Sequence, residues 1–122
     1  KVMANPPTKD MILYIQKGHF APWPEDGSGE EYEAGIKLRR EKIIGKNEFI
    51  KAYYPSGHAW GADNTEFVEA YVLDSMDDLD DMLKRNGELF DEFTDEEKAL
   101  DEKMWKYFTG KHGDYIYTYI HM

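Results

Sequence analysis

The sequence predicts an α+β domain with the element order β-α-β-β-α-(α)-β. Three observations carry that prediction. Short runs of strand formers lie near both ends, at residues 11–15 and 115–120. Helical segments with caps and ordered charge lie between them. Two further strand-like runs, 49–54 and 66–73, stand next to each other between the helices. At 122 residues, with 41% hydrophobic and 15% aromatic content, the chain is expected to form one domain over 1–122 with its own core.

Residues 1–10 contain Asn5-Pro6-Pro7 and are expected to be an extended lead-in. Met11-Ile12-Leu13-Tyr14-Ile15 is too short and too rich in strand formers for a helix, and its continuous apolar character predicts a central strand bounded by Gly18. Pro22-Trp23-Pro24 and Asp26-Gly27-Ser28-Gly29 mark a loop over 20–29. The first helix follows over about 30–44. Glu30, Glu31 and Glu33 crowd its start and Lys37, Arg39, Arg40 and Lys42 its end, as the helix dipole favours, and Gly45 is placed to stop it. Tyr32, Ile36, Leu38 or the stem of Arg39, and Ile43 supply its apolar stripe.

Strand two (49–54) has Pro55 near its end, which predicts an edge position. Strand three is 66–73. The stretch between them reads either as a long loop or, preferably, as a continued hairpin turning at 62–65, which would set Trp60 opposite Phe67 and Ala59 opposite Val68. Ser75 is expected to cap the second helix, with Asp77 and Asp78 in its first turn and a break at Asn86-Gly87. Thr94-Asp95-Glu96-Glu97 forms a capping box for a third helix, which Gly110 should end. In the last strand, 115–120, Tyr115, Tyr117 and Tyr119 point one way and Ile116, Thr118 and Ile120 the other.

This order is the split βαβ arrangement, a ferredoxin-like βαββαβ antiparallel sheet with an extra helix before the last strand. Strands one and three should be central, with two and four at the edges. Helices can cover only one sheet face, yet both parities of strands one, three and four are apolar or aromatic. The second face is therefore expected to meet a second copy, giving a homodimer through the sheet.

The net charge of −10 argues against nucleic acid and anionic membrane as partners. Absence of cysteine excludes disulfides and a thiol nucleophile. No apolar run approaches the ~20 residues of a membrane span, and no signal peptide is visible. Met3 reads as a native start behind two extra residues, or the chain as a processed form. The first reading is preferred, and with it the cytoplasm.

On element order over about 11–120, on Glu69-Ala70-Tyr71-Val72-Leu73-Asp74-Ser75-Met76-Asp77-Asp78-Leu79, and on Tyr115-Ile116-Tyr117, the chain resembles the dimeric α+β barrel superfamily. The resemblance implies a dimer and a place among cofactor-independent antibiotic-biosynthesis monooxygenases, muconolactone isomerase-like proteins, EthD-like proteins and haem-binding chlorite dismutases. The His-x-Pro element frequent in the EthD-like group has no counterpart in Glu41-Lys42-Ile43-Ile44-Gly45-Lys46.

The candidate catalytic residues are His58 and His19, since histidine is suited to proton transfer near neutral pH. His58 and Trp60 would share a face of the hairpin at a pocket mouth; equally, the tip could pack on the third helix or on a partner. Trp60, Trp23, Tyr14, Tyr53, Tyr71 and Tyr117 are the candidates for binding a small aromatic ligand, by stacking and through hydroxyls, and tyrosines of this kind also serve as core. His112 suits a helix C-terminus, and His121 lies near the chain end. The four histidines show no ligand spacing, so no metal or cofactor is assigned. Two functional classes remain: a small-molecule enzyme resembling the monooxygenases or isomerases, and a non-catalytic dimeric binding or structural module.

Overall fold

The computed structural model describes residues 10–120, so most of the expected lead-in, and His121, lie outside the described residues. The elements are β1 (Ile12–Phe20), α1 (Gly29–Lys42), β2 (Ala52–Gly57), β3 (Glu66–Leu73), α2 (Asp77–Asp91), α3 (Asp95–Lys103) and β4 (Phe108–Thr118), with short 3-10 turns at Ile44–Lys46 and Met104–Tyr107. The sheet is antiparallel in the order β2-β3-β1-β4, so strands one and three are central as expected. Pro55, which has no N–H to give, sits on edge strand β2. No helix among the described residues is long and apolar enough to cross a membrane.

Side-chain alternation sorts the sheet into rows across all four strands. Tyr53, Tyr71, Tyr14 and Ile116 form one row on the helix side. Pro55, Glu69, Gln16 and Asp114 form the next, and Gly57, Phe67, Gly18 and His112 the third. On the opposite face the rows are Ala52, Val72, Leu13, Tyr117, then Tyr54, Ala70, Ile15, Tyr115, and then the more polar Ser56, Val68, Lys17, Gly113. The core is on the helix side, where buried Ile12, Tyr71, Leu73 and Met82 pack with Tyr14, Tyr53, Phe49, Ile50 and Leu79. A second cluster, Ile43, Leu89 and Phe93, joins α1 to the end of α2.

Several boundaries differ from the sequence reading. β2 ends at Gly57, and Gly57, not Trp60, lies opposite Phe67, so the expected hairpin pairing does not form. The loop is held from the other side. Asp63 Oδ1 accepts from Thr65 N–H at 2.9 Å, and the Thr65 carbonyl accepts from Phe20 N–H at 2.9 Å. Helix α2 runs through Asn86-Gly87 without a break. Asn47, itself buried, donates to the Asn86 side chain (2.7 Å) and to the Met82 carbonyl (3.0 Å), which ties the chain after α1 to this stretch. That anchorage, with burial of Met82 and Leu89, outweighs the ~1 kcal/mol propensity penalty of a glycine. Ser75 is not the cap. The N-cap is Met76, without a side-chain hydrogen bond, while the Ser75 carbonyl accepts from Asp78 N–H at 3.2 Å. The capping box of α3 forms as expected between Thr94 and Glu97.

The largest difference is β4, which begins at Phe108 rather than near Tyr115. Gly110 lies inside the strand instead of ending α3, and His112 is a strand residue. Between the pairs Gly18–His112 and Phe20–Phe108, β4 advances four residues while β1 advances two. The bulge is permitted by Gly110 at φ +81°. It returns Phe108 to the Phe20 and Phe67 rings, whose centroids lie 5.8 and 5.6 Å away.

Gly18 is required by close approach, because the Phe67 ring lies directly over it. An added Cβ would meet Phe67 Cε1 and Cε2 at 2.9 Å, well inside contact. Gly18→Ala is expected to lower stability by about 1–3 kcal/mol in urea denaturation with an unchanged m-value, since an aromatic ring held by two others has nowhere to move. A stability equal to wild type would show that the ring is not confined there.

Candidate active site

Between the helix side of the sheet and α1, α3 and the Met104–Tyr107 turn lies a cleft of about 470 Å³. Most of its lining is apolar or aromatic: Phe20, Phe67 and Phe108 at one end, Tyr32 and Ile36 from α1, and Met104 and Trp105 from the turn. α1 approaches the turn closely because residue 35 is glycine. A Cβ there would meet Met104 Cε at 2.8 Å. Tyr107 anchors the other end of α1. Its hydroxyl accepts from Ser28 N–H (3.0 Å) and donates to Glu31 (2.7 Å).

A polar group interrupts this lining. Glu69 of β3 and Gln16 of β1 belong to the cleft wall, facing Arg39 and Arg40 of α1 and Asp101 of α3. Tyr53 and Tyr71 both donate their hydroxyls to Glu69 Oε2, Tyr71 at 3.3 Å. Register produces this convergence, since Tyr53 pairs with Tyr71 and Glu69 lies two residues from Tyr71 on the same face. Among the described residues Oε1 of Glu69 carries no hydrogen bond. Asp101, nearly buried, receives Arg39 Nη1 at 3.1 Å.

The hydroxyls are held protonated. Burial, then the Glu69 carboxylate as neighbour and acceptor, pushes Tyr53 well above the usual phenol range, with Arg40 pulling the other way. Tyr71 is pushed up by burial, by Glu69 and by Tyr53. Tyr14, stacked on Tyr71 at 5.6 Å and donating to Asp114 Oδ1 at 3.2 Å, is pushed up to about 12 by burial and then by Asp114. These phenols are donors at any physiological pH. Glu69 is the acceptor among them.

The residues singled out from sequence are distributed unevenly. Tyr53 lines the cleft, and Tyr71 and Tyr14 lie behind it in the same row. His19 lies at the rim. Its Nδ1 faces the Lys111 carbonyl at 3.2 Å and its Nε2 the carboxylates of Asp63 (3.2 Å) and Glu66 (3.8 Å). His58 and Trp60 are outside the cleft. The His58 ring turns back on the Gly61 carbonyl at 3.0 Å, and Trp60 is 97% exposed. They share no hairpin face, because β2 stops before them. Trp23 is half exposed and packs on Tyr107 (5.1 Å) and Tyr32 (6.2 Å). Tyr117 lies on the opposite sheet face. His112 lines the cleft next to Asp114 (Nδ1 to Oδ2, 3.2 Å).

Glu69, Gln16, Arg39, Arg40 and Asp101 were not singled out as site residues by sequence. One signal existed. Phe67, Glu69, Tyr71 and Leu73 share a parity, so an acid stands on the inward face of a central strand.

No family model and no curated protein sequence matches the chain. Solved structures do. A candidate antibiotic biosynthesis monooxygenase from Caulobacter crescentus is similar at 17% identity and a TM-score of 0.57, over 93% of this chain and 92% of that one. SnoaB, a cofactor-independent oxygenase from Streptomyces nogalater, is similar at 10% identity and a TM-score of 0.52, over 93% and 96%. A dimeric ferredoxin-like protein of unknown function from Thermobifida fusca is similar at 13% identity and a TM-score of 0.56, over 94% and 97%. The expected ferredoxin-like α+β fold is thus shown, and the resemblance to the dimeric α+β barrel superfamily holds at the level of fold.

The raised phenols make stability depend on alkaline pH. Their contribution is fully present below about pH 10, where unfolded tyrosine begins to ionise, and is lost as pH rises through the folded value of about 12 for Tyr14. Phenolate absorbance is expected to show a late-titrating set in the native protein, and urea midpoints should fall above pH 10. In Tyr14→Phe that alkaline slope should be shallower. An unchanged slope would contradict the placement of Tyr14.

Proposed function

We propose that this chain is a small-molecule enzyme that removes a proton from an aromatic or polyketide-like compound held in the cleft, with Glu69 as the base. One observation carries the reading: a carboxylate fixed by two phenols in the wall of a mostly apolar cleft. Tyr53 and Tyr71 occupy Oε2 and orient the group, leaving Oε1 toward a ligand. Pockets of a few hundred Å³ with few convergent polar groups suit ligands of this size. Arg39 and Arg40, across from Glu69, would stabilise the enolate or phenolate that forms. Returning the proton to a different carbon completes an isomerisation; reaction of the anion with molecular oxygen as co-substrate begins an oxygenation. The cofactor-independent oxygenase among the similar structures favours the second.

His19 at the rim is kept as a candidate for relaying the proton to solvent, and His112 in the wall, read from sequence as a helix-end residue, joins it. His58, Trp60, Trp23 and Tyr117 are not part of this reading, since they stand away from the cleft.

The working unit is proposed to be a homodimer. The outer face carries two apolar rows spanning all four strands, with Tyr117 52% and Tyr115 43% exposed in the single chain. Two of the similar structures are described as dimeric. Sedimentation at tens of micromolar should give a dimer, and Ile15→Lys, in the middle of a row, should give a folded monomer. A wild-type monomer would remove this part of the proposal.

Polycyclic phenols and 1,3-dicarbonyl compounds can be screened by thermal shift, then by mass spectrometry for consumption in air and under nitrogen, with no added cofactor. Glu69→Gln keeps volume and an acceptor for Tyr53. It is expected to retain binding and melting temperature while losing at least ~100-fold in turnover. Compounds that bind wild type but are never changed would favour the alternative reading, a non-catalytic binding module.

A further inference from the structure

We infer that the cleft selects ligands that join an aromatic body to a single carboxylate, and that Arg40 is the specificity-determining residue that receives it. The inference rests on the reading of the cleft as an enzyme site and names its substrate class.

Arginine and lysine side chains near the cleft are mostly engaged. Arg39 is held by Asp101, Lys42 by Glu97 at 4.0 Å, and Lys106 by Glu31 and Asp26. Farther away, Arg85 is shared between Glu48 and Glu88. Arg40 lies exposed at the edge of the cleft, where its side chain reaches the Tyr53 hydroxyl, and no carboxylate pairs with it among the described residues. Its charge opposes the upward push on the hydroxyls of both Tyr53 and Tyr32, two phenols of the same cleft lining. Lys111, also at the cleft, lies on β4 in the field of Asp63.

A guanidinium without a carboxylate, facing an apolar cleft, is matched by a ligand carboxylate, which it can hold through two parallel hydrogen bonds. The rest of the molecule limits the charge. A net charge of −10, with Glu69 and Asp101 in the same wall, opposes a phosphate dianion far more than a monoanion. The Phe20, Phe67 and Phe108 rings take the aromatic body. With the carboxylate on Arg40, the ligand's neighbouring carbon or hydroxyl is left to Glu69.

The test is calorimetric titration of the full chain with 2-naphthoate, its neutral isostere 2-naphthamide and 2-naphthyl phosphate. Wild type is expected to bind naphthoate about tenfold more tightly than naphthamide, the worth of one charge-assisted contact, and more tightly than the phosphate. Arg40→Gln should erase the preference, bringing the acid to the affinity of the amide, and keep the melting temperature. Arg40→Lys should retain part of the preference. Equal binding of acid and amide by wild type, a preference that survives Arg40→Gln, or tighter binding of the phosphate overturns the inference. The Glu69 reading is judged separately. Loss of turnover in Glu69→Gln with an unaltered Arg40→Gln preference would leave the enzyme standing and remove the carboxylate class.

Discussion

Helices cover one side of a four-stranded sheet, and strand side chains alternate between its two sides. Most of the molecule follows from that constraint. Each row that faces the helices must be buried by them or must line a gap, and each row on the other face is left to water or to another molecule. Three of the inward rows have three different fates. The tyrosine row packs on Met82 and Leu79 as core. The phenylalanine row closes on itself over Gly18. The row between them, with Glu69 and Gln16, is the one the helices do not fill.

The gap has a local cause. Gly35 lets α1 come down on Met104, which fixes the spacing of α1 and the 3-10 turn, while Tyr107 pins the start of α1 through Ser28 and Glu31. Toward the other end, the bulge at Gly110 brings Phe108 back under Phe20. Large residues therefore converge at the ends of the cleft, and its middle is bounded by a glutamate, a glutamine and two arginines. Both devices are glycine-dependent, and each acts at long range in sequence, between elements some 60 or more residues apart.

Element order and the central position of strands one and three were legible because they depend on local patterns: the apolar run at 11–15, Pro55 on an edge, the Thr94 capping box. Register was less so. The pairing of Trp60 with Phe67 matched apolar with apolar, but the Asp63–Thr65 turn and the Phe20–Thr65 hydrogen bond hold the loop open, and glycine became the partner of Phe67. Gly110 looked like a helix stop because αL glycines end helices. Here the same conformation makes a bulge, and only the pairing with β1 distinguishes the two. The cleft was read through its histidines and tryptophans, residues notable by type. Tyr53 and Tyr71 were reached through their hydroxyls, a criterion that also drew in Tyr117 on the opposite face, while Arg39 and Arg40 looked fully explained by the helix dipole, which is true of their position and silent about where their charge acts.

Glu69 is the residue that the fold itself does not ask for. Leucine in its place would extend the core between Tyr71 and Phe67, and replacing buried ionic groups with apolar ones is commonly neutral or stabilising. Keeping a carboxylate there requires partners, and the sheet supplies one phenol from its own strand and one from neighbouring β2, each pushed toward its protonated form by burial and then by the same carboxylate. A network of this kind is high-stakes, since removing either phenol leaves a partly buried charge short of a donor. Sequences depart from local consistency of this sort chiefly where function imposes it. A carboxylate oriented through one oxygen, with its other oxygen free of hydrogen bonds among the described residues, is what a proton-transfer site needs and what a packed core would exclude.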